Sequence, residues 1–398
     1  MSPPLATGRQ LRVLFAHNFY QQSGGEGSVV NAEIELLQRH GHEVELFSRH
    51  NDEIDQIGKI AAAVQAIWSV RTINDLARRI AVFKPDVIHA HNTFPLISPS
   101  LYAAAARAGV PIVQTLHNYR LLCPQAMFLR DGRVCEDCLG KFPWRGVVHR
   151  CYRGSAPQTA VLALMLGIHR AMGTYREKVT RYIAQTEFSR RKFIDGGLPP
   201  ERISVKPNFV DMPRGKERER SGGLLVGRLS GEKGIAVLLD ALNRMPGSGV
   251  DIIGVGPEDA RLRVHKGVRL HGWLEPAEVA ERMRAAAFLV VPSLWYEGFP
   301  RVIVEAFACA LPVIASRLGS IAEIIRDGET GLLFEPGDAA DLARKLAWAE
   351  ANPAAMRELG MKARRDYEEK YTPARNYERL VAIYVQAIGE HSRATTVA

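Results

Sequence analysis

The sequence predicts an α/β protein built from two doubly wound, Rossmann-like domains. Apolar strand-like runs alternate with helical patterns through both halves of the chain. A glycine-rich loop, residues 23–27 (SGGEG), follows the first strand and precedes a helix. Doubly wound sheets use this arrangement to bring backbone amides close to a phosphate. At 398 residues the chain has room for two domains of ordinary size.

Taken in order, residues 11–16 (LRVLFA) read as a buried strand, with a helix over residues 28–39. Gly24 and Gly25 lie in the loop between them and are candidate phosphate-side residues. A second strand starts at residue 41. A helix over 73–83 leads into a strand over 87–89, which delivers His89, His91 and Asn92 to the carboxyl edge of the sheet. Ligands bind at that edge. The strand starting at residue 111 places His117 just past its end.

Residues 118–154 break this rhythm and hold Cys123, Cys135, Cys138 and Cys151, four of the five cysteines. A C-x2-C pair flanked by two more cysteines fits a tetrahedral structural zinc, and it equally fits four reduced thiols. The fifth, Cys309, reads as core. A largely apolar helix over 155–175 follows, then a strand over 180–184 and a helix opened by Thr186 with a capping-box pattern. The polar residues 213–223 read as a linker. The expected organisation is a first domain over 1–212, with the cysteine-rich insertion 118–154, and a second over 224–370. A returning helix and a tail without order, 371–398, complete it.

Apolar residues make up 46% and charged residues 24%, the balance of a soluble globular protein. The longest apolar run, residues 160–168, falls far short of the ~20 residues a membrane-spanning helix needs. The first ten residues lack the pattern of a signal peptide, so cytoplasm is the expected location. The net charge is +9. Residues 118–192 carry 14 Lys/Arg against 5 Asp/Glu, which accounts for that whole excess. Such a patch, with Phe128, Phe142, Trp144 and Tyr152 among its arginines, suits an anionic membrane face or a phosphorylated acceptor. No nucleic-acid motif accompanies it.

In the second half, a strand over residues 224–227 runs into Arg228, and Lys233 begins the next helix. Residues 250–254 and 268–273 read as further strands. Residues 291–308 (VPSLWYEGFPRVIVEAFA) take a strand into a loop bearing Glu297, then the turn Gly298, Phe299, Pro300, then a helix bearing Glu305. Free amides at a helix start, together with the dipole, make an anion site. Carboxylates beside it are better suited to sugar hydroxyls than to phosphate.

This E-x7-E pattern with G-F-P after its first glutamate resembles the signature of retaining glycosyltransferases of family 4. Those enzymes have the GT-B fold, two Rossmann-like domains facing across a cleft. Residues 227–234 (GRLSGEKG) are similar to the family's diphosphate clamp. Residues 207–211 (PNFVD) resemble its P-N-G-V-D segment, with Phe209 in place of glycine. The resemblance implies that Arg228 and Lys233 hold the donor diphosphate, Glu305 the ribose hydroxyls, and Glu297 and His117 the donor sugar. It implies that Asn208, the Gly24–Gly25 loop and the turn 298–300 line the donor site. It places Trp273 near the base, although Trp273 also reads as core. The implied activity is hexosyl transfer from a UDP-, GDP- or ADP-linked sugar to a glycan or lipid-linked hydroxyl, with retention and without a required cofactor. No Asp-x-Asp occurs in the chain. A GT-B sugar-nucleotide epimerase and a non-catalytic nucleotide-sugar-binding protein are the alternatives. A cytoplasmic protein touching the inner membrane face is the implied setting.

Overall fold

The computed structural model describes residues 9–21, 25–213, 215 and 218–397. Contacts divide the chain into two units. The first comprises residues 1–126, 136–206 and 376–398, and the second residues 127–135 and 207–375.

The first unit is built on a six-stranded parallel sheet of β1 (Arg12–Phe19), β2 (Glu43–His50), β3 (Val87–Ala90), β4 (Ile112–Thr115), β7 (Arg181–Ala184) and β8 (Ile203–Val205), in the order 2-1-3-4-7-8. Two short strands intervene in the chain, β5 (Leu129–Arg130) and β6 (Arg133–Val134). They pair as a hairpin that groups with the second unit. The central strands are buried on both faces, as parallel strands under helices must be. Leu11, Val13, Phe15, Val87, Val113 and Ile183 pack with Leu380, Ile383, Tyr384 and Ala387 of the last helix, Pro373–Val397.

The second sheet comprises β9 (Gly223–Val226), β10 (Val250–Ile253), β11 (Val268–Gly272), β12 (Phe288–Val291), β13 (Val313–Ser316) and β14 (Gly331–Phe334), in the order 11-10-9-12-13-14, again all parallel. Side chains alternate across it with period two. Leu224, Leu289, Val313 and Leu333 face the helices Arg301–Ala308 and Pro353–Lys370. Leu225, Val290, Ile314 and Phe334 face Ile235–Asn243 and Ala339–Ala351.

Each sheet reverses direction once. β1 leads to β2 on one side and β3 lies on the other, while β9 leads to β10 and β11 with β12 on the other side. The crevices at the carboxyl ends of β1/β3 and β9/β12 are therefore the switch points at which doubly wound sheets bind ligands.

Several local expectations need adjustment. The first helix begins at Gly25, not at residue 28. The helix expected over 155–175 ends at Ala171, because Gly173 takes a left-handed φ of 66° before a short turn, Thr174–Glu177. The tail continues as helix to Val397 where no order was expected. By contacts the chain leaves the first unit after Lys206 rather than at 212. Backbone near Val210 is held within the second unit by Tyr367, whose hydroxyl donates to the Val210 carbonyl at 2.8 Å.

Candidate active site

At the first switch point, three loop starts are tied together. The Asn18 amide donates to Asn51 Oδ1 at 2.8 Å, and that of Asn92 to the Asn18 carbonyl at 2.7 Å. Leu96 N donates to Asn18 Oδ1 at 2.9 Å, completing the frame. The loops following β1, β2 and β3 thus share one hydrogen-bonded frame.

Inside it lies a buried histidine cluster. His91 Nδ1 is 2.8 Å from His117 Nε2, and the two rings stack 5.1 Å apart. His117 Nδ1 is 3.0 Å from the Gln185 amide nitrogen. His89 meets Thr115 Oγ1 at 2.8 Å and the Tyr384 hydroxyl at 2.7 Å. Beneath them, Lys206 Nζ pairs with Glu33 Oε1 at 2.6 Å, both side chains fully buried. Removal from water pushes the histidine pKa values down, His17 to about 4 and His117 to about 3, with His89 and His91 also lowered. The cluster is therefore neutral near pH 7. Glu26 approaches Asn118, whose amide donates to its carboxylate at 2.7 Å, and burial raises its pKa.

The resemblance implies that His117 contacts the sugar's hydroxyls while backbone near it faces the anomeric carbon. In this structure both ring nitrogens are engaged by protein side chains. Gly25 starts the first helix, while Gly24 lies outside the described residues.

At the second switch point, Lys233 Nζ lies 2.6 Å from Glu297 Oε1, and Ser293 Oγ donates to the same oxygen at 2.8 Å. Lys233 is reached through a turn of 3₁₀ helix after β9, and Glu297 through the loop after β12. These loops run so close that a side chain at Gly234 would collide with the Pro292 carbonyl, 1.8 Å from where its first carbon would stand. Lys233 also sits over the Trp295 ring, and the buried indole N–H has no partner among the described residues. Arg228 is exposed, 3.8 Å from Glu232.

The first turn of Arg301–Ala308 leaves backbone N–H groups without intrahelical acceptors. Pro300 stands at its cap, and Gly298 is buried in the turn before it. Phe299 packs against the core beside Tyr371. Glu305 lies on this helix, 3.6 Å from Arg301, with its pKa raised by burial and lowered in part by that guanidinium. The second unit thus brings together Lys233, Glu297 and Ser293. A cation, helix-start amides and carboxylates are what an anionic ligand bearing hydroxyls needs.

Asn208 and Phe209 are buried in the second unit. Trp273 is 62% exposed, which rules out the core reading. Among the described residues, the metal-ligating side chains that lie within reach of one another are Glu33, His89 and His91. Cys123 and Cys138 are buried, whereas Cys135 and Cys151 are half-buried. Cys309 is core, its thiol pushed up to about 11 by burial.

Sequence reasoning missed Glu33, Lys206, Gln185 and Ser293. A signal existed for Glu33. It falls among Val29, Val30, Leu36 and Leu37, the buried stripe of its helix, and a carboxylate there needs a buried partner.

Comparison with known proteins bears on the whole chain. Residues 23–214 match the model of Glycosyltransferase Family 4, and residues 221–352 that of Glycosyl transferases group 1. The sulfoquinovosyl transferase SQD2 of Arabidopsis thaliana is 29% identical over 79% of this chain and 60% of its own length. A phosphatidyl-myo-inositol mannosyltransferase of Mycobacterium leprae is 32% identical over 50% of this chain and 57% of its own. The chain thus spans less than two thirds of the length of these curated relatives. Among solved structures, Anabaena HepE in complex with UDP-glucose aligns over 96% of this chain and 100% of its own, with a TM-score of 0.63 at 19% identity. The two parallel sheets and these alignments identify the fold as GT-B, and the chain belongs to the group 1, family 4 glycosyltransferases.

Proposed function

We propose that this chain transfers a hexosyl group from a nucleoside diphosphate sugar to an acceptor hydroxyl with retention at the anomeric carbon. The observation that carries this is the Lys233–Glu297 pair at the second switch point, 2.6 Å apart, with the exposed Arg228 earlier in the loop after β9. In this reading Arg228 and Lys233 take the diphosphate and stabilise the charge that develops on it as the sugar departs. Glu297, released from Lys233, holds donor-sugar hydroxyls, and Glu305 holds the ribose. No metal is required, since cations and helix-start amides supply the charge. The departing phosphate oxygen accepts the acceptor's proton on the same face, so no protein nucleophile is needed.

The names of the relatives favour a lipid-linked or envelope-polysaccharide acceptor. So does the surface of the first unit. Phe142, Trp144, Val148, Leu164, Ile168 and Met172 are exposed there, on or beside the helices Trp144–Val148 and Ala156–Ala171. Lys141, Arg145 and Arg150 stand among them in the sequence. Aromatic, aliphatic and basic groups together suit peripheral contact with an anionic membrane. Among the described residues, no helix is long and apolar enough to cross one.

The anomeric-proton spectrum of the product, with UDP-, GDP- and ADP-sugars offered against lipid extracts, tests this reading. Retained configuration is expected. An inverted product would refute the mechanism. Donor conversion without any acceptor would indicate an epimerase, and binding without turnover a binding protein.

A further inference from the structure

The buried cluster of the first unit contains two polar atoms that the hydrogen-bond network leaves over. Glu33 Oε2 and His91 Nε2 have no hydrogen-bond partner among the described residues, and they face each other at 3.7 Å. Glu33, His89 and His91 have the composition of a metal-ligand set. Two facts argue against a metal. The Lys206 ammonium sits 2.6 Å from the same carboxylate, where it would repel a cation, and His89 already meets hydroxyls at both nitrogens. The arrangement is better explained by protons.

We infer that the Glu33 carboxylate, held in place by Lys206, sets the tautomer of His91 and through it that of His117. Each is then a positioning residue for the loop after β4. A proton on His91 Nε2 faces a carboxylate and is stabilised by it, whereas a lone pair there would be repelled across 3.7 Å of buried space. With Nε2 protonated, a neutral His91 has its lone pair on Nδ1. It must then accept from His117 Nε2–H, 2.8 Å away. His117 in turn has its lone pair on Nδ1 and accepts from the Gln185 amide N–H at 3.0 Å. One direction of donation, from Gln185 to His117 to His91, pairs each hydrogen bond correctly and turns the His91 Nε2 proton toward the Glu33 carboxylate. The reverse would place two acceptors face to face at the Glu33 end.

The consequence is that the His117 ring is an anchor. Its nitrogens look into the protein, and what it offers the ligand edge is the fixed backbone of residues 116–118 and the Asn118 side chain. Asn118 is itself held between Glu26 and the Arg120 amide. This consequence rests on the glycosyl-transfer reading, but the tautomer assignment does not.

Long-range 1H–15N correlation spectra of the full chain labelled at histidine, near pH 7.5 and without substrate, test it. His91 and His117, assigned by His91→Phe and His117→Phe, are expected as neutral rings with the proton on Nε2. A proton on Nδ1 of either ring, or a mixture, would overturn the proposal. The Glu33→Met/Lys206→Met double variant replaces the pair with apolar groups of similar volume, a change that often preserves folding. It should turn the single His117 tautomer into a mixture. A His117 signal unchanged in that folded variant would mean the pair only fills space, and would also overturn it. Should the variant fail to fold, the parent spectrum alone decides. Because no donor is present, the outcome is separate from the success or failure of the proposed reaction.

Discussion

The two switch points present opposite solutions to the same topological position. At the carboxyl ends of β1 and β3, polar side chains are withdrawn from water and bonded to one another. Glu33, Lys206, His89 and His91 are all buried, and the imidazoles are kept neutral by desolvation. At the carboxyl ends of β9 and β12, the cations keep access to solvent, although Glu297 is itself buried. Arg228 is exposed, and the Lys233 side chain retains 29% of its accessibility while paired with Glu297. A buried network holds geometry and is costly to alter. A partly solvated ion pair gains little stability and can exchange its partner for a ligand's phosphate. The first region thus preserves a shape, and the second, in the proposed reading, offers its cations to the donor.

The largest predicted effect attacks the buried side of this contrast. Lys206→Ala leaves Glu33 charged and unpaired in the interior, a loss of about 3–5 kcal/mol. For a unit of this size that lowers the melting temperature by roughly 10 °C, readable by scanning calorimetry. Lys233→Ala should shift it less, since Lys233 itself keeps 29% of its accessibility and Ser293 still donates to the buried Glu297. Equal shifts in the two variants would erase the distinction.

Next comes function at the open side. Lys233→Met should lower the transfer rate constant by about 100- to 1000-fold, or about 2.7–4 kcal/mol, with the fold unchanged. Steady-state kinetics checks this, and a loss under tenfold would mean Lys233 is not on the diphosphate.

Acid should act through the buried side. His17 is held at about 4 and His117 at about 3, below the ordinary value of about 6.5. The unfolded chain therefore takes up these protons first as pH falls. The stability from keeping them neutral is complete above pH ~6.5 and is lost on descending toward the folded values. By pH 5 each such histidine costs about 2 kcal/mol. Melting curves from pH 8 to 5 should show the decline, and a flat profile would mean these rings titrate normally. The smallest effect is expected from Tyr384→Phe. It removes one buried hydrogen bond to His89, about 1 kcal/mol, and should leave nucleotide binding unaltered.

The open side was the more legible of the two in the sequence. Glu297, Lys233 and Glu305 lie in two continuous stretches whose spacing reports their placement at strand ends and on one helix. The buried side was opaque because it is assembled across the chain. Glu33 and Lys206 are 173 positions apart, and neither neighbourhood carries a local pattern naming the other. His91 and His117 were placeable at the carboxyl edge from strand periodicity, but which way their rings point depends on Gln185 and Glu33. The helix break at Gly173 was equally hidden, since glycine in an apolar helical run does not announce a left-handed turn. Most strands of both sheets, being continuous apolar runs with helical crossovers, were readable from alternation, but β14 (Gly331–Phe334) was not among those read.

In the proposed reading, Lys233 and the loops around it form a nucleoside diphosphate site. Titration calorimetry of UDP, GDP and ADP, and of UDP-glucose, against the parent chain and Lys233→Met tests it most directly. One nucleotide is expected to bind the parent, and the variant is expected to bind it at least about 100-fold more weakly. No binding to the parent, or binding indifferent to Lys233, would contradict it.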